Sequence, residues 1–407
     1  MLLGALVGIP AAFAAALFIG VVHQVQHLLW TDLPNELGAD DVPWYLIIGL
    51  PLVAAGAVYV ARTYLPGDGG HSPLEGLTQG PIPISWAPGI ALAAFATLSC
   101  GLVLGPEAPV IALGAIVAAA VSSFARLEGK ALAAISMAGS FAAISALFGG
   151  PIVGGVMLIE AGVGLGAALI PALIPGFVAA AIGYVIFEGL DGWSGLGTPG
   201  LTVPDLPVYD GTTVLDLVAA VAVGAATAVA LGGIRPLAVR LSAVGGSRLG
   251  LGSLLALGAL AVGVVTLIAV GLGADSQDVL FSGQSSTAVL VASSTGIILV
   301  LLVAKGIAYA VTMASGFRGG PIFPAVFVGV GLASLPVAWF DVSPTFAIAA
   351  GAAAGMAAQT KLILTAMLFG ALLVGSVGFD AIPGAVLAAV TAWMVTTAID
   401  RRTQAAL

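Results

Sequence analysis

Charge is what this sequence has least of: Asp, Glu, Lys and Arg make up 7% of 407 residues, against roughly 25% in soluble domains. With 60% hydrophobic residues and a mean hydropathy of +1.17, that deficit excludes a soluble globular domain and leaves an all-α polytopic membrane protein. Cysteine is almost missing as well. Cys100 stands alone, which rules out an internal disulfide, and in its apolar run it reads as a small packing residue. Histidine is equally scarce. His23 and His27 fall one helical turn apart, which is half of a metal site, but Gln24-Val25-Gln26 lies between them and no third ligand is near. The net charge of -8 says little about partners, because the acids cluster in a few loops. No cofactor, no metal and no nucleic-acid partner is expected.

What the chain has in abundance is glycine, 57 residues, and proline, 23, which suits closely packed and broken transmembrane helices. The decisive stretch is Leu104-Gly105-Pro106-Glu107-Ala108-Pro109-Val110, a carboxylate in a Gly-Pro break between two uncharged apolar runs. A carboxylate at membrane depth is costly and marks a functional site by default. Pro106 and Pro109 cannot continue a helix but fit the first turn of a new one, so Glu107 is expected in the first turn of a helix that starts inside the bilayer. The competing reading is a short hairpin outside the membrane with one exposed acid.

Spans are expected at Leu3 to Trp30, Pro43 to Val60, and, beyond Glu107, Leu132 to Leu147 and Pro151 to Val163, with another up to Phe187. Gly67 to Gly80 is too polar to span and reads either as a re-entrant loop with a helix of about two turns, offering amides or a hydroxyl to an anion, or as a plain linker. The polar connection Glu188 to Gly211 reads as the boundary between two halves, residues 1–190 and 212–400. The second half is expected to carry spans at Val214 to Leu231, Leu251 to Leu272 and Ala288 to Ser315, the last holding Lys305, which must pair or snorkel. Gly316-Phe317-Arg318-Gly319-Gly320-Pro321-Ile322-Phe323-Pro324 is the counterpart of the break at Glu107, and Lys361 to Met367 parallels Gly150 to Val156. Matching broken helices in two halves point to an internal repeat with the substrate site at the interface of the halves. The bias of Lys and Arg places both termini in the cytoplasm and the acidic loops outside.

These residues resemble the CLC family of chloride channels and proton/chloride antiporters. Gly105-Pro106-Glu107-Ala108-Pro109 is similar to the family's G-K/R-E-G-P motif, whose glutamate gates the anion path. Lys305 with Thr312, Ser315-Gly316 and Gly319 to Pro324 is similar to its long lysine-to-G-x-F-x-P signature. The form of both motifs looks closest to a short bacterial branch known only as ion-channel proteins. The resemblance implies an inverted-repeat fold with broken and re-entrant helices, a homodimer in the inner (plasma) membrane, and transport of chloride or a similar small anion rather than an enzyme. It implies anion-binding roles for Gly69, Gly70, Ser72, Gly105, Glu107, Ala108, Gly320, Ile322 and Phe323 and gating by Glu107; Lys305 is expected to be structural from its place in an apolar helix, and Glu107 with Glu160 are the acids open to a proton path. The dimer face is expected on the helix after Gly150, at Gly154-Gly155 and Gly162-Val163-Gly164, and on the helices after Lys361.

The departures are specific. The family's G-S-G-I-P filter has only Asp68-Gly69-Gly70-His71-Ser72-Pro73 to match it, with Gly69 at the serine position and Ser72 serving only if the loop shifts. Pro321 stands where the family uses a free amide. Ala161 stands at the inner proton-accepting glutamate, and Glu160, one residue early, is rotated by about 100°. The helix with the anion-contacting tyrosine and a cytoplasmic regulatory domain are not expected. A channel or uncoupled permease therefore reads better than a proton/chloride antiporter, and fluoride stays open because the filter is degenerate. Helix N-termini can hold an anion with few full charges, and a fixed arginine is expected to bind it too tightly for throughput.

Overall fold

In a bilayer every backbone N–H and C=O must be satisfied within the protein, which restricts long apolar runs to helices. The computed structural model describes residues 2–76, 81–124, 126–162, 169–194 and 202–405, and every regular element among them is helical. Nine of these described helices are long and apolar enough to cross a membrane.

Two compact units emerge. The first holds Met1–Cys100, Pro106–Leu201 and Phe317–Gly320; the second holds Gly101–Gly105, Thr202–Gly316 and Pro321–Leu407. In the first, α1 (Leu2–His27) runs through a π-helical turn at Leu28–Asp32 into α2 (Leu33–Glu36). There follow α3 (Trp44–Tyr64), α4 (Ala87–Ser99), α5 (Glu107–Phe124), α6 (Gly129–Leu147), α7 (Pro151–Ala161) and α8 (Leu169–Ser194). The second unit runs α9 (Val214–Arg248), α10 (Leu251–Gly271), the short α11 (Ser276–Val279) and α12 (Thr287–Ala292), and α13 (Thr295–Ala314). It closes with α14 (Ile322–Phe340), α15 (Pro344–Thr360), α16 (Ile363–Val374) and α17 (Ile382–Ala405).

The order of lengths repeats after each glycine-rich break. Helices of 18, 19 and 11 residues (α5, α6, α7) are matched by 19, 17 and 12 (α14, α15, α16). Each unit also packs its first two helices of the series through glycine. A Cβ on Gly114 of α5 would strike the Gly139 carbonyl of α6, and one on Gly139 would strike that of Gly114. In the second unit Gly329 of α14 meets Gly351 of α15, and Gly355 meets the Ala325 carbonyl. Such pairs approach to backbone contact, which is how helices gain packing energy where lipid supplies no hydrophobic drive.

Several expectations change. Ala288 to Ser315 is not one span: α12 ends at Ala292, and the Ser294 hydroxyl accepts from the Ile297 amide to start α13. The expected span Val214 to Leu231 continues to Arg248 as one helix of 35 residues, about 52 Å long and longer than the roughly 30 Å hydrocarbon core. Its start is fixed by Thr213 and Asp216, which cap each other's backbone amides, and the Tyr209 hydroxyl donates to the Asp216 carboxylate at 2.8 Å. The 67–80 interlude forms only a 3-10 turn, Pro73–Glu75, not a helix of two turns, and residues 77–80 lie outside the described set. The glycines expected at a dimer face are used inside the subunit: a Cβ on Gly155 would enter the Phe177 ring, and one on Gly154 would press on Ile144. Val163 and Gly164 lie outside the described residues.

Lys305 is fully buried on α13. Its ammonium donates to the carbonyls of Asp278 and Leu280, each at 2.8 Å, and stands 4.3 Å from the centre of the Phe327 ring. It thus caps the carbonyl end of α11, which a buried short helix cannot leave bare. Lys305→Met removes two charge-assisted bonds and strands two buried carbonyls, at a cost of about 2–5 kcal/mol. Its thermal midpoint and monodisperse yield in detergent should fall while the anion preference of the surviving protein stays the same. Gly351→Val should cost about 3 kcal/mol by forcing α14 and α15 apart, read as the same loss of thermal midpoint.

Candidate functional site

The break before α5 is built from buried residues, with the Leu104 amide turning back to the Leu102 carbonyl at 3.1 Å. Leu102, Val103 and Leu104 are fully buried, and the Val103 amide donates to the Thr312 hydroxyl at 3.4 Å. Helix α5 then starts on Pro106, whose carbonyl accepts from the Val110 amide at 3.0 Å. Pro109 has no N–H to lose in this first turn, so the sequence starts a helix here without sacrificing a bond.

Glu107 occupies the first position of α5 with no exposure to solvent. This excludes the exposed hairpin. Gly320 lies against its carboxylate, and any side chain at 320 would collide with the Glu107 carboxyl carbon. The glycine of the second break is therefore required by the acid of the first. A buried, ionised carboxylate at a helix N-terminus draws on the partial positive charge of the first-turn amides, the same charge that would hold a free anion.

Beside this helix start, four consecutive residues, Gly67, Asp68, Gly69 and Gly70, have φ of 88°, 48°, 68° and 95°. Glycine adopts this left-handed region freely and aspartate tolerates it, and the Gly70 amide closes the turn on the Gly67 carbonyl at 2.8 Å. Asp68 is gripped from two sides. Arg62 donates through Nε and Nη2 to its two carboxylate oxygens, both at 2.9 Å. Arg318 donates through Nε to its carbonyl at 3.1 Å and through Nη2 to its carboxylate. Arg318 is only 5% exposed, and its own amide reaches the Thr97 hydroxyl at 3.4 Å.

Between loop, helix start and arginine lies a cavity of about 20 Å³, walled by Gly69, Gly70, His71, Ala108, Pro109, Arg318 and Gly319. That is room for about one water-sized particle. His71 reaches Glu75 at 3.9 Å.

Of the residues expected to bind an anion, Gly69, Gly70 and Ala108 meet at this cavity, and Glu107 meets Gly320. Ser72 is not among the lining residues; its oxygen accepts from the Leu74 amide at 3.4 Å and caps the 3-10 turn. Gly105, Ile322 and Phe323 are buried members of the second unit; Ile322 and Phe323 open α14, where the Tyr309 hydroxyl donates to the Pro321 carbonyl at 2.8 Å. Glu160 is half-buried in the last turn of α7, beside an exposed Ala161. Among the described residues no three His, Cys, Asp or Glu side chains gather as metal ligands, and His27 instead pairs with Asp32 at 3.1 Å.

Arg318, a fixed cation of the second break, lines this cavity already paired with Asp68. Arg318 was visible as a charge inside a glycine-rich break, the same signal that marks Glu107. Its compensation was not, because Asp68 lies 250 residues away in sequence.

The family described as voltage gated chloride channel matches residues 67–397. The provisionally named ion-transport protein YfeO of Escherichia coli O1:K1 / APEC is 31% identical over 338 residues, covering 80% of this chain and 76% of its own. Its counterpart in Escherichia coli O7:K1 (strain IAI39 / ExPEC) is 32% identical over 350 residues, covering 82% and 78%. In fold, the chain is similar to a slow cyanobacterial Cl-/H+ antiporter, with a TM-score of 0.76 and 16% identity over 100% of this chain and 98% of that one. It is also similar to a CLC-type fluoride/proton antiporter, with a TM-score of 0.74 and 20% identity over 98% and 95%. The chain is a multi-pass membrane protein with the CLC fold, and it belongs to the voltage-gated chloride channel (CLC) family.

Proposed function

We propose that the protein carries chloride or a similar small anion across the membrane as a channel or uncoupled permease gated by Glu107, and that it has no enzymatic role. One observation carries this reading: a fully buried carboxylate opens α5 against Gly320, next to a cavity wall that includes Ala108. An ionised Glu107 competes with a permeating anion for the same helix terminus. Once protonated it loses that attraction and vacates the position.

The second reading is a coupled antiporter of chloride or fluoride, favoured by the two antiporters that share this fold. Against it stands Ala161 at the inner proton position, with Glu160 displaced by about 100° around α7. Membership in this family also supports a homodimer in the cell's inner membrane, with both termini in the cytoplasm.

Flux from chloride-loaded vesicles tests the gate. Wild-type flux should rise several-fold on acidification, whereas Glu107→Gln should be fast and change by less than about twofold between about pH 4 and 8. Under crossed chloride and pH gradients the reversal potential should follow chloride alone. A fixed proton-to-chloride ratio abolished by Glu107→Gln would falsify the uncoupled reading and leave the antiporter. For assembly, light scattering in mild detergent should give twice the 39.9 kDa chain mass, and a monomer in both detergent and bilayer would defeat the dimer.

A further inference from the structure

The cavity beside Ala108 differs from a site made only of amides. One wall is Arg318, 95% buried, the other is the left-handed loop whose Asp68 holds that arginine. Two of the five N–H donors of the guanidinium go to Asp68, one to its carbonyl and one to its carboxylate, and three remain for other acceptors. The two partners differ in freedom. The Arg318 side chain is 7% exposed, while that of Asp68 is 56% exposed. Arg62, on the outer side of Asp68, gives the carboxylate a second cation to rest on, at 2.9 Å. Arg62 and Arg318 both face the Asp68 carboxylate, and Glu75 acts on Arg318 from farther off.

We propose that Arg318 and Asp68 together set the anion affinity of this cavity. Arg318 supplies a fixed positive charge, and Asp68 is the tethered carboxylate that an entering anion displaces from it, toward Arg62 and water. The proposal rests on the anion-transport reading and deepens it. It also accounts for how a site with a buried arginine releases its ion: an arginine alone binds too firmly for throughput, whereas one with a built-in competitor binds weakly enough to pass the ion on. A small halide fits the room available, about one water-sized particle.

The two partners of the pair must then act in opposite directions, which a merely structural salt bridge would not do. Chloride, and separately fluoride, is titrated into purified protein by calorimetry for the wild type, Asp68→Asn, Arg318→Gln and the double variant. Asp68→Asn should bind at least about fivefold more tightly and carry less flux, since a half-exposed charge at contact distance is worth about one to two orders of magnitude at most. Arg318→Gln should bind at least about tenfold more weakly, and the double variant should bind about as weakly as Arg318→Gln, because Asp68 competes only for that arginine. Should Arg318→Gln fail to fold, Asp68→Asn decides alone: unchanged or weaker binding by a monodisperse protein overturns the proposal. Wild-type vesicles that pass no anion, by contrast, overturn the transport reading, while opposite affinity shifts in the same preparations would still uphold the pair.

Discussion

Where water is absent, a charge must be met by protein, and the structure is arranged around the few it keeps. Glu107 meets a helix terminus and Gly320, Lys305 meets two carbonyls and a ring, and Arg318 meets both the carbonyl and the carboxylate of Asp68. Each solution dictates nearby sequence. Gly320 must lack a side chain because the carboxylate lies there, and Gly283 is confined by the Lys305 ammonium and Phe327. The buried charges are therefore a small set of fixed commitments.

Between these commitments the helices are held by shape. The paired glycines of α5 with α6 and of α14 with α15 set the separation by backbone contact, so the helices that begin at the two breaks rest on stiff, close-packed neighbours. A site that depends on where an N-terminus points needs such support, because a helix terminus acts over about one turn only.

Much of this was legible from residue order. Gly-Pro-Glu-x-Pro fixed the start of α5 because proline and glutamate both prefer a first turn, and burial of Glu107 followed from the uncharged runs on either side. What failed shares one cause, the dependence on partners distant in sequence. Gly155 is a dimer-face candidate only until Phe177 is seen to fill its space, and the partner of Arg318 is hidden until Asp68 is seen beside it. Hydropathy likewise marks where α9 can start but gives no stop before Arg248, because Arg235 and Arg240 are good helix formers.

The first unit includes Phe317–Gly320, and so is not a continuous piece of chain. During synthesis Asp68 emerges long before Arg318, which follows 250 residues later, about 10–50 s at 5–20 residues per second. Through that interval Arg62, six residues away, can already neutralise Asp68 as its helix enters the membrane. Arg62 is thus available to the nascent chain as a placeholder cation, since the residues that complete the first unit are made only after much of the second.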